Sequence, residues 1–204
     1  MKLLSGTDLA GFIKQRQAQQ VRALRQAHQI YPRLAIIVTT DHPAINTYVR
    51  MKERYGDDIQ VETELHRIDQ ADAPALIETL NADPAVHGII VQLPLADPSQ
   101  TDELVNLVVP EKDVDALGSE ATLDPATPMA ILWLLAGYNI ELKGKRIVLV
   151  GRGKLVGAPL ERMLTTSGLD VRVADRSTED LGAFLADADI IVTATGQAGL
   201  ITSS

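Results

Sequence analysis

Residues 145–159 read KRIVLVGRGKLVGAP, and this stretch decides the fold of the chain. A run of apolar, β-forming residues ends in a glycine-rich turn, and a helical pattern follows. This order is typical of a dinucleotide site, because the glycines let backbone N–H groups approach a pyrophosphate and the helix N-terminus carries partial positive charge. The spacing Gly151-x-Gly153-x-x-x-Gly157 is one residue longer than the usual fingerprint. Spacing alone therefore leaves an ordinary strand-to-helix turn equally open.

Outside this stretch, the chain alternates short apolar runs with segments of helical periodicity. Such an order predicts an α/β fold with parallel sheets and helices on their faces. The weakly periodic segment 110–124 predicts a boundary between two domains, 1–124 and 125–204, the second of them Rossmann-like. Strands are predicted at 33–39, 59–65, 88–91, 146–150, 170–174 and 189–194. Helices are predicted at 5–28, from Pro43 until Gly56 ends it, and at 73–80, 101–108, 127–138 (capped by Thr127), 156–167 and 178–186.

Composition excludes several classes of function. The formal net charge of −8 argues against broad binding of nucleic acid or of anionic membranes. The chain has no cysteine, which excludes disulfides, thiolate metal sites and cysteine nucleophiles and fits a reducing cytoplasm. The longest apolar run, 129–137, is too short to span a bilayer, and the N-terminus lacks the apolar core of a signal peptide. We expect a cytoplasmic protein without a metal site.

Polar side chains follow the first and third predicted strands. Tyr48 and Lys52 lie one helical turn apart, so both project from the same helix face. Gln92 comes directly after the third strand, and Asp113 and Asp115 follow in the connecting segment. Ligands of open parallel sheets gather at the carboxyl ends of the strands, so a proton-handling lysine is one hypothesis. The alternative is a solvated Lys52 paired with a neighbouring glutamate, beside a half-buried Tyr48.

Five blocks occur together in the order typical of one family. They are Pro43-Ala44 with Tyr48-x-x-x-Lys52, the run Gly88 to Leu95 (GIIVQLPL), Pro110-x-Lys112-Asp113-Val114-Asp115, Thr127-Pro128, and Gly151-Arg152-x-x-x-Val156-Gly157-x-Pro159. The chain resembles bifunctional methylenetetrahydrofolate dehydrogenases/methenyltetrahydrofolate cyclohydrolases. The resemblance extends from the N-terminal helix to Gly196.

This resemblance implies a folate substrate held between the two domains. The dehydrogenase step passes a hydride from 5,10-methylenetetrahydrofolate to NADP or NAD, and the cyclohydrolase step hydrolyses the methenyl product to 10-formyltetrahydrofolate. By resemblance, Tyr48 stacks on the folate, Lys52 transfers the cyclohydrolase proton, Gln92 hydrogen-bonds near it, and Asp115 anchors the pterin. Leu93 and Pro94 are expected to contact the substrate. A homodimer active in purine biosynthesis is also implied.

The resemblance assigns the cofactor to the second domain. An acidic Asp175 at the end of its second strand can bind the ribose hydroxyl of NAD, whereas Arg152, Arg176 and Ser177 can hold the 2′-phosphate of NADP. Two arginines and a serine favour NADP, although NAD is possible. Each has a structural alternative, namely solvated arginines and an aspartate that caps the next helix. The full expected set is Thr127, Gly151, Arg152, Gly153, Val156, Gly157, Pro159, Asp175, Arg176, Ser177, Thr195 and Gly196.

The chain departs from the family pattern at a few positions. Ala116 stands where the family usually has glycine, and the segment after it looks shortened. Gly153 and Ile45 replace serines. The family normally continues beyond the position of Ser204, so we expect an incomplete second domain. Whether the chain is catalytically active is left open by the sequence. The alternative function is a truncated or degenerate homologue that binds nucleotide or a partner without turnover.

Overall fold

The computed structural model describes residues 3–202. The chain forms two compact units, Met1–Asp124 and Pro125–Ser204. Each contains a three-stranded parallel sheet with helices on its faces, so the predicted α/β class is confirmed. No helix within 3–202 is long and apolar enough to cross a membrane. In chain order the elements are α1 Gly6–His28, β1 Arg33–Val38, α2 Pro43–Ile59, β2 Glu62–Arg67, α3 Ala73–Ala82, β3 Gly88–Val91, α4 Thr101–Val105, α5 Ala126–Gly137, β4 Ile147–Val150, α6 Gly157–Thr166, β5 Val171–Ala174, α7 Leu181–Leu185 and β6 Ile190–Thr193.

The sheet of the first unit has the order β2-β1-β3, with β1 in the centre. Side chains of β1 alternate between the two faces of the sheet, so each face builds its own core. On one face Ile37 packs with Ile77 of α3 in a cluster that includes residues of α4. On the other face Ile36 packs with Val49 of α2. This explains why β1 is a continuous apolar run, since both faces are covered.

The second unit repeats this plan with the order β5-β4-β6. On one face Leu149 of β4 packs with Leu160 of α6, and α5 contributes partly buried side chains to the same cluster. On the other face Val148 packs with α7, including Phe184. The four residues of β4 are buried, which places the glycine turn at the end of a rigid central strand.

The predicted end of α2 at Gly56 is wrong, because the helix continues to Ile59. Gly56 is buried, and a Cβ there would lie 2.7 Å from Thr63 Cγ2 and 2.9 Å from the Val61 carbonyl oxygen. Glycine at 56 therefore permits close approach of the returning chain and does not terminate the helix. The helix is closed by its C-capping residue Gln60, which adopts a left-handed φ of 65°. Strand β2 consequently starts at Glu62 and not at 59.

Other helix starts and ends also differ from prediction, and α3, for example, ends at Ala82 and not at 80. Thr127 does not cap α5, which begins at Ala126 after an N-cap Pro125 that makes no side-chain cap bond. Helix α4 ends at Val105 and not at 108. Helix α7 begins at Leu181 and not at 178, because Asp180 caps it by accepting a hydrogen bond of 2.9 Å from the Ala183 N–H.

Candidate functional site

Lys52 and Gln92 meet in the first unit. Helix α2 carries Lys52, and Gln92 follows the last residue of β3. The Lys52 Nζ donates a hydrogen bond of 2.7 Å to the Gln92 Oε1. The Gln92 Nε2 in turn donates to the Leu93 carbonyl oxygen at 2.9 Å, which orients the amide so that its oxygen faces the lysine. The half-buried Lys52 thus has an amide partner and not the glutamate of the alternative interpretation.

Asp115 lies within electrostatic reach of Lys52. Burial raises the pKa of the Asp115 carboxyl; the charge of Lys52 opposes that rise, and Asp113 adds to it. Such a carboxyl holds a proton more readily than an exposed aspartate, which suits a group that binds a heterocycle by hydrogen bonds. The structure therefore brings Lys52, Gln92 and Asp115 together.

Asp113 and Lys112, the neighbouring motif residues, have structural contacts. Asp113 is only 4% exposed, and its Oδ2 accepts a hydrogen bond of 2.8 Å from the Gly118 N–H, which fixes the segment after the motif. Lys112 Nζ donates to the carbonyl oxygens of Leu80, Asn81 and Asp83 at 2.9, 2.8 and 2.7 Å. These are carbonyls at and beyond the last turn of α3, so Lys112 acts as a helix C-terminal cap.

Tyr48 lies beside Lys52 on the same face of α2. Both line a groove of about 350 Å³ whose other walls are mostly apolar. Tyr48 is 60% exposed, so its ring is available for stacking. Of the other predicted substrate contacts, Leu93 packs partly against the core, whereas Pro94 is exposed and follows a cis peptide bond.

The second unit has a cavity of about 1010 Å³ at the carboxyl ends of its three strands. Many of the predicted cofactor residues line it. Among the lining residues that sequence reasoning misses are Thr178, Leu181, Gln197 and Leu200. The signal for them is positional, because they follow β5 and β6 at the edge where ligands of parallel sheets gather. The predicted residues in the wall are Gly151, Arg152, Gly153, Asp175, Arg176, Ser177, Thr195 and Gly196.

Four predicted cofactor residues lie outside this cavity wall. Thr127 is exposed in the first turn of α5. Gly157 and Pro159 are buried in the first turn of α6, and Val156 precedes them. A Cβ on Gly157 would lie 2.0 Å from the Gly151 carbonyl oxygen, so only glycine allows the helix to start against the turn. In this structure these glycines pack the helix against the strand, as in dinucleotide-binding folds.

The polar groups of the cavity are already partly paired. The Asp175 Oδ1 accepts hydrogen bonds from the Ser177 N–H at 2.9 Å and from its Oγ at 2.6 Å. These bonds, and more weakly the charge of Arg152, lower the pKa of the Asp175 carboxyl. The aspartate thus closes a local turn and does not cap α7, which Asp180 caps. Within 3–202, Arg152 pairs with Glu161, whereas Arg176 is exposed and makes no ion pair.

The geometry of this cavity fits a dinucleotide. Three parallel strands end at it, and the turn after the central strand contains Gly151 at a φ of 101°, a conformation that favours glycine. A Cβ at Gly153 would meet nothing within 4 Å, so this part of the turn is open for a phosphate to approach.

Two domains of one enzyme family match the chain. Residues 4–115 match the tetrahydrofolate dehydrogenase/cyclohydrolase catalytic domain, and residues 125–204 match the NAD(P)-binding domain of the same enzymes. A relative from Heliobacterium modesticaldum, named bifunctional protein FolD, is 38% identical over 212 residues, which cover 98% of this chain and 74% of that protein.

Solved structures agree with these matches. The bifunctional FolD enzyme from Campylobacter jejuni superimposes with a TM-score of 0.95 at 34% identity, covering 100% of this chain and 77% of that one. The Trypanosoma brucei FolD enzyme, solved with NADP cofactor and inhibitor, gives a TM-score of 0.89 at 27% identity, covering 96% and 72%. The chain therefore belongs to the tetrahydrofolate dehydrogenase/cyclohydrolase family.

Proposed function

We propose that this protein oxidises 5,10-methylenetetrahydrofolate with NADP and hydrolyses the resulting methenyl cation to 10-formyltetrahydrofolate. The observation that carries the proposal is the hydrogen bond of 2.7 Å between Lys52 Nζ and Gln92 Oε1, beside Asp115. It joins two separate family motifs at one point. NAD is the second possible acceptor.

In the cyclohydrolase step, Lys52 is the group that moves the proton. Water adds to the methenyl carbon and releases a proton; the bond from that carbon to N5 then breaks as N5 is protonated, and the formyl group stays on N10. In this proposal Lys52 takes up the proton that the adding water releases and returns it at N5. Gln92 holds the amine in place through its oriented amide.

In the same proposal the first unit binds the folate. Tyr48 stacks on it, Asp115 anchors the pterin by hydrogen bonds, and Leu93 and Pro94 border it. The exposed face of Tyr48 and the raised pKa of Asp115 support these roles.

The second unit is proposed to bind the cofactor. When bound, NADP accepts the hydride. Gly151 and Gly153 offer backbone donors to the pyrophosphate. Arg152, Arg176 and Ser177, which line the cavity of this unit, hold the 2′-phosphate. Thr195 and Gly196 line the same cavity after β6.

We also propose that the protein is a cytoplasmic homodimer that contributes to purine biosynthesis. The support is the family membership given above, together with a chain that has no cysteine to oxidise. Light scattering at several concentrations tests the dimer.

The first test uses the full chain and its Lys52→Met variant. We expect the wild type to reduce NADP in the presence of 5,10-methylenetetrahydrofolate and to hydrolyse added methenyltetrahydrofolate. The variant should lose cyclohydrolase turnover by at least about 100-fold, the usual contribution of a positioned proton-transfer group. Its NADP binding should stay nearly unchanged, because Lys52 lies outside the cavity of the second unit.

Arg50→Met is the matched control, since Arg50 is an exposed cation on the same helix. It should retain cyclohydrolase activity. A Lys52→Met enzyme that hydrolyses the methenyl compound at the wild-type rate contradicts the role of Lys52. A wild-type chain that performs neither reaction contradicts the proposed function.

A further inference from the structure

Arg152, the arginine of the glycine turn, is held by a carboxylate of the following helix. Its Nε donates to the Glu161 Oε2 at 2.8 Å, and one of its terminal nitrogens donates to Oε1 at 3.2 Å. This is a two-point, fork-to-fork pair, the strongest geometry between an arginine and a carboxylate. The Glu161 side chain is 25% exposed, less than half the 59% of Arg152, so the pair is partly shielded from water.

Three charged side chains within the described residues line the cavity, namely Arg152, Asp175 and Arg176. Asp175 is anionic at neutral pH, because hydrogen bonds from Ser177 lower its pKa. Glu161 adds a second negative charge behind Arg152. Two carboxylates therefore offset two guanidinium groups. Of these two guanidinium groups, Arg152 is paired with Glu161, whereas Arg176 has no ion pair within 3–202.

We propose that Glu161 is a positioning residue that sets cofactor specificity: by pairing with Arg152 it weakens the attraction of the cavity for the 2′-phosphate of NADP. The inference rests on the proposed function and goes beyond it, since it assigns a residue outside the cavity wall to the choice between NADP and NAD.

The effect is selective because the two cofactors differ only in that phosphate. A 2′-phosphate carries up to two negative charges and binds best to an arginine whose donors are available in a fork. In this protein the Nε side of the Arg152 fork is occupied, and the Glu161 carboxylate repels a second anion nearby. NAD has a hydroxyl at this position, so it is insensitive to this repulsion. The pair between Arg152 and Glu161 therefore lowers the preference of the cavity for NADP over NAD.

The experiment compares 2′,5′-ADP with 5′-AMP, two probes that differ only in the 2′-phosphate, by calorimetric titration of the full chain. We expect Glu161→Gln to raise the preference for 2′,5′-ADP over 5′-AMP by about tenfold, the equivalent of one charge-assisted contact. In steady-state assays the KM for NADP should fall, with kcat and the KM for NAD unchanged.

Two further variants separate positioning from a general charge effect. Arg152→Gln should abolish most of the gain when combined with Glu161→Gln, because the arginine that Glu161→Gln releases for the 2′-phosphate is then missing. Glu141→Gln removes one negative charge at an exposed site of the same unit and should leave the preference unchanged. Trp133 fluorescence verifies folding, and Glu161→Ala serves as a second variant.

An unchanged or reduced preference in folded Glu161→Gln or Glu161→Ala overturns the inference while leaving the cofactor site intact. An equal gain in the Arg152→Gln background overturns it as well. A wild-type chain that binds neither probe contradicts the cofactor site itself, and the inference falls with it.

Discussion

Ala116 follows the Lys112–Asp115 motif and adopts a left-handed φ of 54°. A side chain in this conformation costs about 1 kcal/mol relative to glycine, which has no Cβ to clash with the backbone. Glycine is the residue that the family usually has at this point, and the backbone conformation gives the physical reason. Alanine here keeps the turn at a cost in stability, and the turn is fixed by the hydrogen bond from the Gly118 N–H to Asp113.

We expect Ala116→Gly to stabilise the protein by up to about 1 kcal/mol, the relief of strain less the added entropy of the unfolded chain. Urea unfolding measures this change. Ala121→Gly is the matched control in the same segment, since Ala121 does not have a positive φ, and it should lower stability by about 0.5 kcal/mol. A loss of stability in Ala116→Gly would show that the left-handed backbone carries no strain.

Asp115 gives stability a defined dependence on pH. Burial raises the pKa of its carboxyl in the folded protein, so the folded state binds the proton more tightly than the unfolded state. Stability from this group is therefore present at low pH and decreases as the pH rises from the ordinary aspartate range through the raised pKa. Above that pKa the burial of a charged carboxylate opposes folding.

Asp115→Asn removes this dependence, because the amide does not titrate. The variant should gain unfolding free energy relative to the wild type as the pH rises from about 4 to 7. Urea unfolding at several pH values measures the difference, in which the other carboxyls cancel. The reverse slope would mean that attraction to Lys52 outweighs burial.

At the scale of elements, α2 links the core to the candidate catalytic site. The same helix carries Tyr48 and Lys52 on one face and buries Ile45 and Val49 on another. Gly56 sits where the chain returns towards β2, and a Cβ there would lie within 3 Å of two atoms of that chain. The packing of α2 against β2 therefore depends on the absence of a side chain at this position.

Gly56→Ala should destabilise the protein by about 1–3 kcal/mol, the usual cost of overpacking a buried contact. Gly11→Ala is the matched control, because it too lies in a helix but a Cβ there would meet nothing within 4 Å. That substitution should stabilise by about 0.5–1 kcal/mol through higher helix propensity. Thermal unfolding followed by circular dichroism compares the two, and equal effects would contradict the assigned role of Gly56.

The elements also show which features can be predicted from the sequence and which depend on tertiary contacts. The observed β3 agrees with the prediction, because a short apolar run that ends shortly before Pro94 leaves few alternatives to a buried strand. The end of α2 was wrong, since glycine is read locally as a helix terminator while its actual role is a contact with Thr63. The pair of Lys52 with Gln92 joins residues forty positions apart, so the family resemblance, and not local pattern, indicated it. The cavity residues Gln197 and Leu200 needed the sheet order to be found.

At the scale of the whole molecule, the division into two units allows stabilisation by a bound ligand to be assigned to the unit that binds it. The chain has one tryptophan, Trp133, and it lies in α5 of the second unit. A ligand that binds only the folded form stabilises it by RT ln(1 + [L]/Kd). NADP in the cavity at the end of β4 should therefore protect the strands of the second unit first.

We expect NADP at ten times its Kd to stabilise the second unit by about 1.4 kcal/mol. Hydrogen exchange should slow in peptides that contain β4, β5 and β6 more than in those that contain β1 and β3. The thermal midpoint of Trp133 fluorescence should rise in parallel. 5′-AMP at the same multiple of its own Kd is the control for the phosphate, and it should give the same stabilisation, because linkage depends on occupancy and not on affinity. Protection confined to the first unit would place the nucleotide away from the glycine turn.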